Sequence, residues 1–143
     1  MIRREYAEAL ETADEGIDLA RRQLSGQTDV PMQSMLANLL TVAADASGQL
    51  GETDDAARAF REGGEAHRAL LALDASRFME AAVNHAKAHA GFLAGLGRPD
   101  EAEVIRRQAL SDLDRAIETL TAGIPERRRL EQMRDSLEKT ATH

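Results

Sequence analysis

The stretch Leu96-Gly97-Arg98-Pro99-Asp100-Glu101-Ala102, followed by Ala109, decides the fold because it has the features of a turn between two antiparallel helices. The same features occur earlier, in Leu50-Gly51-Glu52-Thr53-Asp54-Asp55-Ala56, followed by Gly63. In each copy an apolar helix ends at Leu-Gly, two residues form the turn, and two acids occupy the first turn of the next helix. Each glycine supplies the left-handed backbone that ends a helix, and the acids complement the positive end of the next helix dipole. The two copies therefore predict helical hairpins.

The length and the net charge of the chain limit the classes of protein to which it can belong. The chain has 143 residues, with 18 basic and 25 acidic side chains and a formal net charge of -7. This length is typical of one domain, so we predict a single domain over residues 1–143. The negative charge opposes both the phosphate backbone of nucleic acids and an anionic membrane surface, so we expect neither as a partner.

Residue types and segments that the sequence lacks indicate the cellular compartment. There is no cysteine, which excludes disulfides and thiolate chemistry. No apolar run approaches the roughly 20 residues that a membrane-spanning helix needs. The first six residues enter a charged helix and lack the apolar core of a signal peptide. We therefore expect a soluble, cytoplasmic protein.

Apolar residues recur at spacings of three and four along most of the chain, whereas the alternation typical of strands is never sustained. We predict an all-α fold of antiparallel helical hairpins, in a stack or bundle, with Pro31 in the first turn of its helix and Thr53 as a cap. Small residues such as Gly16 and Gly63 are expected to let a second helix approach closely, because a glycine within a helix otherwise costs about 1 kcal/mol relative to alanine. The six predicted helices are at about 2–24, 31–50, 54–73, 76–96, 99–121 and 125–140.

The helix after each turn carries small and large residues at fixed offsets. These residues are Ala56, Phe60 and Gly63 in the first copy and Ala102, Arg106 and Ala109 in the second. This pattern resembles the tetratricopeptide repeat, whose second helix carries alanine, an aromatic residue and alanine at these offsets. The resemblance covers residues 37–73 and 83–120. The copies lie 46 residues apart, whereas the family's unit has about 34, so the resemblance implies longer helices.

The resemblance implies a non-catalytic interaction module, an adaptor or regulator, that binds a protein or peptide. In that family the ligand groove is lined by the first helix of each hairpin. An asparagine amide there offers a donor and an acceptor to a peptide backbone, and a lysine can meet a carboxylate. The alternative is that these are solvated polar residues on amphipathic helices. Carried over by position, the groove residues are Asn38, Thr41, Asp45, Asn84, Lys87 and Gly91.

His85 and His89 are four residues apart, so both imidazoles lie on one face of a helix, a spacing that can bind a metal. Glu65 and His67 on the preceding helix are the other plausible ligands. The sequence lacks the spacings of a zinc protease or a di-iron bundle, and we expect a packed histidine pair with no metal or cofactor. The alternative function is a helical small-molecule- or metal-binding protein, with or without catalysis, whose pocket lies near His67, His85 and His89. The histidine pair belongs to the apolar stripe Phe78, Ala82, His85, His89, Phe92 and Leu96.

Two further features of the sequence bear on function. Arg127, Arg128 and Arg129 are interleaved with acids and lack an aromatic platform, which favours a solvated helix face over a nucleic-acid site. There is no glycine-rich phosphate loop and no nucleophile elbow, so nothing indicates an enzyme, although the sequence leaves catalysis open.

The first helix has no hairpin partner on its N-terminal side. An uncovered apolar face formed by Ile2, Tyr6 and Leu10 would invite a second copy of the chain. The sequence therefore also predicts a homodimer through this helix.

Overall fold

The computed structural model describes residues 2–25, 29–121 and 123–139. Over these residues the chain forms α-helices joined by turns, with no strand, which confirms the predicted all-α class. None of the described helices combines the length and the apolar character needed to cross a membrane. The helices are α1 (Ile2–Leu24), α2 (Val30–Gln49), α3 (Thr53–Leu73), α4 (Ala75–Gly95), α5 (Pro99–Glu118) and α6 (Pro125–Lys139).

The helix bounds agree with the predicted ones to within one residue at most ends. The exception is α5, which ends at Glu118 and not at residue 121. Residue 140, the predicted end of the last helix, lies outside the described residues.

The two copies of the Leu-Gly turn have the same structure. Gly51 and Gly97 have φ angles of 79° and 78°, in the left-handed region that the sequence predicts. Their hydrogen bonds are those of a Schellman motif, in which the last carbonyl groups of a helix are satisfied by the two residues that follow it. The bonds are Gly51 N–H to Gly48 O (3.1 Å), Glu52 N–H to Ser47 O (2.9 Å), Gly97 N–H to Ala94 O (3.0 Å) and Arg98 N–H to Leu93 O (3.0 Å).

Aspartate side chains cap α2 and α4. The Met32 N–H donates to Asp29 Oδ1 at 3.1 Å, and the Arg77 N–H donates to Asp74 Oδ1 at the same distance. Each bond satisfies one of the four N–H groups that a helix leaves without a partner at its start. The predicted cap at Thr53 is wrong by one residue, because Thr53 is already helical.

The described chain divides into two compact units, Met1–Leu70 and Leu71–His143, with the boundary near the end of α3. The prediction of a single domain over residues 1–143 stays a prediction. The two units are described separately below.

In the first unit, α1 packs against α2. A cluster of Ala13, Ile17, Leu40 and Ala43 forms its core. A Cβ atom on Gly16 would lie 2.8 Å from Leu39 Cδ1, which confirms that this glycine permits a close approach of the two helices. Gly63 is buried in α3.

In the second unit, α4, α5 and α6 pack around a larger core. Met79, Leu113 and Leu130 are the largest side chains that are fully buried there. They come from three different helices, so this core holds α4 and α5 together as a hairpin and seats α6 against it. The whole buried cluster is Met79, Val83, Ala109, Leu113, Ala116, Ile117, Leu130 and Leu137.

Candidate functional site

A groove of about 440 Å³ lies in the second unit between α4 and the start of α5, with Leu137 of α6 also in its lining. Its volume is within the range of roughly 300–1,000 Å³ that is usual for ligand sites. A Cβ atom on Gly91 would have no other atom within 4 Å, so the groove is open at this point. The small lining residues are Ala86, Ala90, Gly91, Ala94, Pro99 and Ala102.

Lys87 is the charged residue that α4 contributes to this groove. Its side chain is exposed, and it has no ion pair with any residue that the structure describes. The ammonium group therefore offers its three N–H donors to a ligand. Of the residues that the resemblance placed in a groove, the structure brings Lys87 and Gly91 into one groove.

The α5 side of the groove carries an ion pair between Glu103 and Arg106. Arg106 Nε donates to Glu103 Oε2 at 2.8 Å, Arg106 Nη2 donates to Oε1, and Arg107 Nε donates to Oε1 at 3.0 Å. Hydrogen bonds from the two arginines lower the pKa of the Glu103 carboxyl to about 2. This carboxylate is therefore ionised and well satisfied at neutral pH.

Arg106 is only partly satisfied by that pair. Its side chain is 15% exposed, and its Nη1 is buried without a hydrogen-bond acceptor among the described residues. Buried donors normally have an acceptor. The groove thus combines small apolar side chains with two cationic groups. Within the described ranges, Lys87 has no ion pair and Arg106 has one donor without an acceptor.

The pair of Glu103 and Arg106 was not predicted as part of the site. The signal was present, because Arg106 occupies the position where the repeat pattern asks for a large apolar side chain, and Glu103 lies three residues before it. Asn84, in contrast, is exposed on α4 but does not line the groove.

The residues predicted on α2 lie in the first unit and divide into two groups. Asn38 and Asp45 are exposed, on the same face of α2 as the exposed apolar residues Met35 and Val42. Thr41 is half-buried and does not share this environment. Asn38 and Asp45 are thus available to a ligand.

Thr41 has intramolecular contacts. Its Oγ1 donates to the Ala37 carbonyl oxygen at 3.2 Å and lies 3.1 Å from Nε2 of His67. His67 is buried, so this contact joins α2 to α3 inside the first unit. The geometry gives Thr41 a structural role.

His85 and His89 lie in the second unit. His85 is buried, His89 is half-buried, and their ring centroids are 6.3 Å apart in an edge-to-face arrangement. Burial lowers the pKa of His89, His85 lowers it further, and Glu101 opposes both effects. Among the described residues, no group of three or more histidine, cysteine, aspartate or glutamate side chains could hold a metal ion. A small-molecule or metal pocket near these residues and His67 stays a prediction.

Two of the three consecutive arginines of α6 bind groups within the second unit. Arg127 Nη1 donates to the Leu120 carbonyl oxygen at 2.9 Å. Arg129 donates to Glu80 Oε2 at 3.4 Å and to the Ser76 carbonyl oxygen at 3.3 Å. These arginines therefore help to hold α6 against the end of α5 and the start of α4.

The predicted dimer face on α1 is reduced by packing in the first unit. Ile2 is 69% exposed, whereas Tyr6 is half-buried and Leu10 packs against the core of α1 and α2. The homodimer itself stays a prediction.

The fold and the groove define the class of protein. Over the described residues it is all-α, with six helices that are compatible with a stack of helical hairpins and with an open groove that contains cationic groups. No protein-family model, curated protein or solved structure matches the chain. Function is therefore inferred from the groove and its chemistry.

Proposed function

We propose that this protein is a non-catalytic adaptor or regulatory module, of tetratricopeptide type, that binds a short segment of a partner protein between α4 and α5. One observation carries the proposal: an open groove lined by small side chains also contains a lysine that has no ion pair with any residue the structure describes. The two Schellman turns support the repeat interpretation, because Gly51 and Gly97 make the same hydrogen bonds at equivalent positions.

The lining of the groove specifies the chemistry of the segment. Alanine, glycine and proline leave room for narrow apolar side chains and let a second backbone approach α4 closely. A carboxylate on the segment would bind the ammonium group of Lys87. The proposed ligand is therefore an apolar peptide segment with at least one acidic group.

The first test is capture of a partner from a lysate of the native host, with bound proteins identified by mass spectrometry. Lys87→Glu reverses the charge that would hold the carboxylate, and Gly91→Leu fills the open part of the groove. Lys87→Glu is expected to weaken binding roughly tenfold because it removes one charge-assisted hydrogen bond. Gly91→Leu is expected to weaken binding because its side chain occupies the groove. Asn84→Ala shows whether the site extends along α4.

Each variant has a matched control in the same unit. Gly95→Leu places the same side chain at another open glycine of α4 that does not line the groove. Arg128→Glu makes the same charge reversal as Lys87→Glu at an exposed residue of α6. Equal capture by the groove variants and by these controls, with far-UV circular dichroism showing equal helix content, would place the binding surface elsewhere.

A further inference from the structure

A second cleft, of about 310 Å³, lies in the first unit between α1, α2 and α3. It shares no residue with the groove between α4 and α5. Its apolar wall includes Leu10, Ile17 and Leu40, and the rest of its lining is mainly charged. The cleft therefore has both a surface for hydrocarbon and a set of charges.

The charges of this cleft do not balance. The pairs Arg21 with Glu62 and Arg58 with Asp55 neutralise each other, the second at 3.5 Å. Asp14 and Glu52 remain, and neither carboxylate has an ion pair within the described part of the chain. Both side chains are exposed. The cleft carries an excess of two negative charges.

Ser47 gives an independent indication of a ligand. It is 3% exposed and lines the cleft, yet its hydroxyl group makes no hydrogen bond to any described residue. The hydroxyl is not fully enclosed, and it opens onto the cleft. The Glu52 N–H donates to the Ser47 carbonyl oxygen at 2.9 Å, so the backbone holds these two residues together at one end of the cleft.

We propose that this cleft binds an organic cation with a primary ammonium group on a methylene chain. The ammonium has three donors and no acceptor, which suits the carboxylates of Asp14 and Glu52 and the hydroxyl oxygen of Ser47. The methylene chain packs against Leu10, the partly buried apolar residue of the lining, which a bare metal ion would not use. The cation is either a free amine or the side chain of a lysine on another protein.

The test is a titration followed by two-dimensional NMR of the ¹⁵N-labelled full chain. The probes are 1,4-diaminobutane, Nα-acetyl-lysine methylamide, and 1,4-butanediol as an uncharged control of similar length. Saturable shifts of the Ser47 and Glu52 amides are expected with the diamine and not with the diol. A response to the lysine amide as well identifies a lysine side chain as an acceptable source, whereas a response to the diamine alone identifies a free amine.

Substitutions in the cleft connect binding to the named residues. Asp14→Asn, Glu52→Gln and Ser47→Ala are each expected to raise the dissociation constant about fivefold. Glu15→Gln is the control for Asp14→Asn, since it removes the same charge from the next position of α1, outside the cleft. Equal weakening by Glu15→Gln would reduce the effect to general electrostatics and overturn the site. So would equal binding of the diol, or the absence of saturable shifts with both amines.

Discussion

Replacing Gly97 by alanine and replacing Gly91 by alanine are expected to change the free energy of unfolding in opposite directions. In both cases the added Cβ atom would have no other atom within 4 Å, so new contacts decide nothing. The two positions differ in backbone conformation. Gly97 has a φ of 78° in the turn after α4, whereas Gly91 lies inside that helix.

The magnitudes follow from this difference. A left-handed conformation costs an L-residue about 1–2 kcal/mol, and alanine recovers part of this because it restricts the unfolded chain. We therefore expect Gly97→Ala to destabilise the protein by about 1 kcal/mol. At Gly91 the same change gains about 0.5–1 kcal/mol of helix propensity. The two variants should differ by about 1.5–2 kcal/mol.

The assay is urea unfolding at 25 °C, followed by far-UV circular dichroism. Gly51→Ala serves as a second instance of the turn, because Gly51 has a φ of 79° and equally open surroundings. It should lose about as much stability as Gly97→Ala. A Gly97→Ala protein as stable as the wild type, or a Gly91→Ala protein that is clearly less stable, would refute the assignment of the turn or of the helix.

Two other results are expected from the second unit. Burial and His85 lower the pKa of His89 from 6.5 in the folded chain, so the unfolded chain binds more protons as the pH falls through this value. Stability should therefore decrease as the pH falls through 6.5, and His89→Gln should reduce this decrease. An unchanged pH dependence would contradict the assignment. The pKa of the Glu103 carboxyl is lowered from 4.5 to about 2, so its stabilising effect is lost only when the pH falls below 4.5. Glu103 therefore does not contribute to the pH dependence assigned to His89. Leu113 is 0% exposed, so Leu113→Ala should lower the free energy of unfolding by about 2–5 kcal/mol in the same urea assay. Val104 is 66% exposed, so Val104→Ala should change it by less than about 0.5 kcal/mol. Similar losses in both variants would contradict the burial that defines this core.

The helices were predictable because their signals are local. Gly51 and Gly97 end helices through bonds that span at most five residues, and such bonds depend little on the rest of the fold. The close approach at Gly16 was also predictable, because few other reasons favour a glycine within a helix. Features set by the neighbours along the chain were therefore accessible from the sequence.

The environment of Thr41 was not predictable in the same way. Asn38, Thr41 and Asp45 lie on neighbouring positions of α2, so periodicity alone assigns them to one surface. The structure separates Thr41 from the other two because His67, 26 residues further along the chain, lies within hydrogen-bond distance of its hydroxyl. Which polar residue of a helix face turns towards another helix depends on that second helix, which local spacing does not describe.

The groove between α4 and α5 lies where the second copy of the repeat departs from its pattern. At the equivalent position of the first copy, Phe60 is 1% exposed and fills the interior. In the second copy Arg106 takes this position, and Glu103 supplies the carboxylate that makes a largely buried guanidinium tolerable. An arginine fills an apolar interior poorly. Its Nη1 has no acceptor in the part of the chain that the structure describes, and it lies beside a groove that also contains Lys87. The departure is thus costly for packing, and this is the strongest reason to test the proposed binding site in the second copy first.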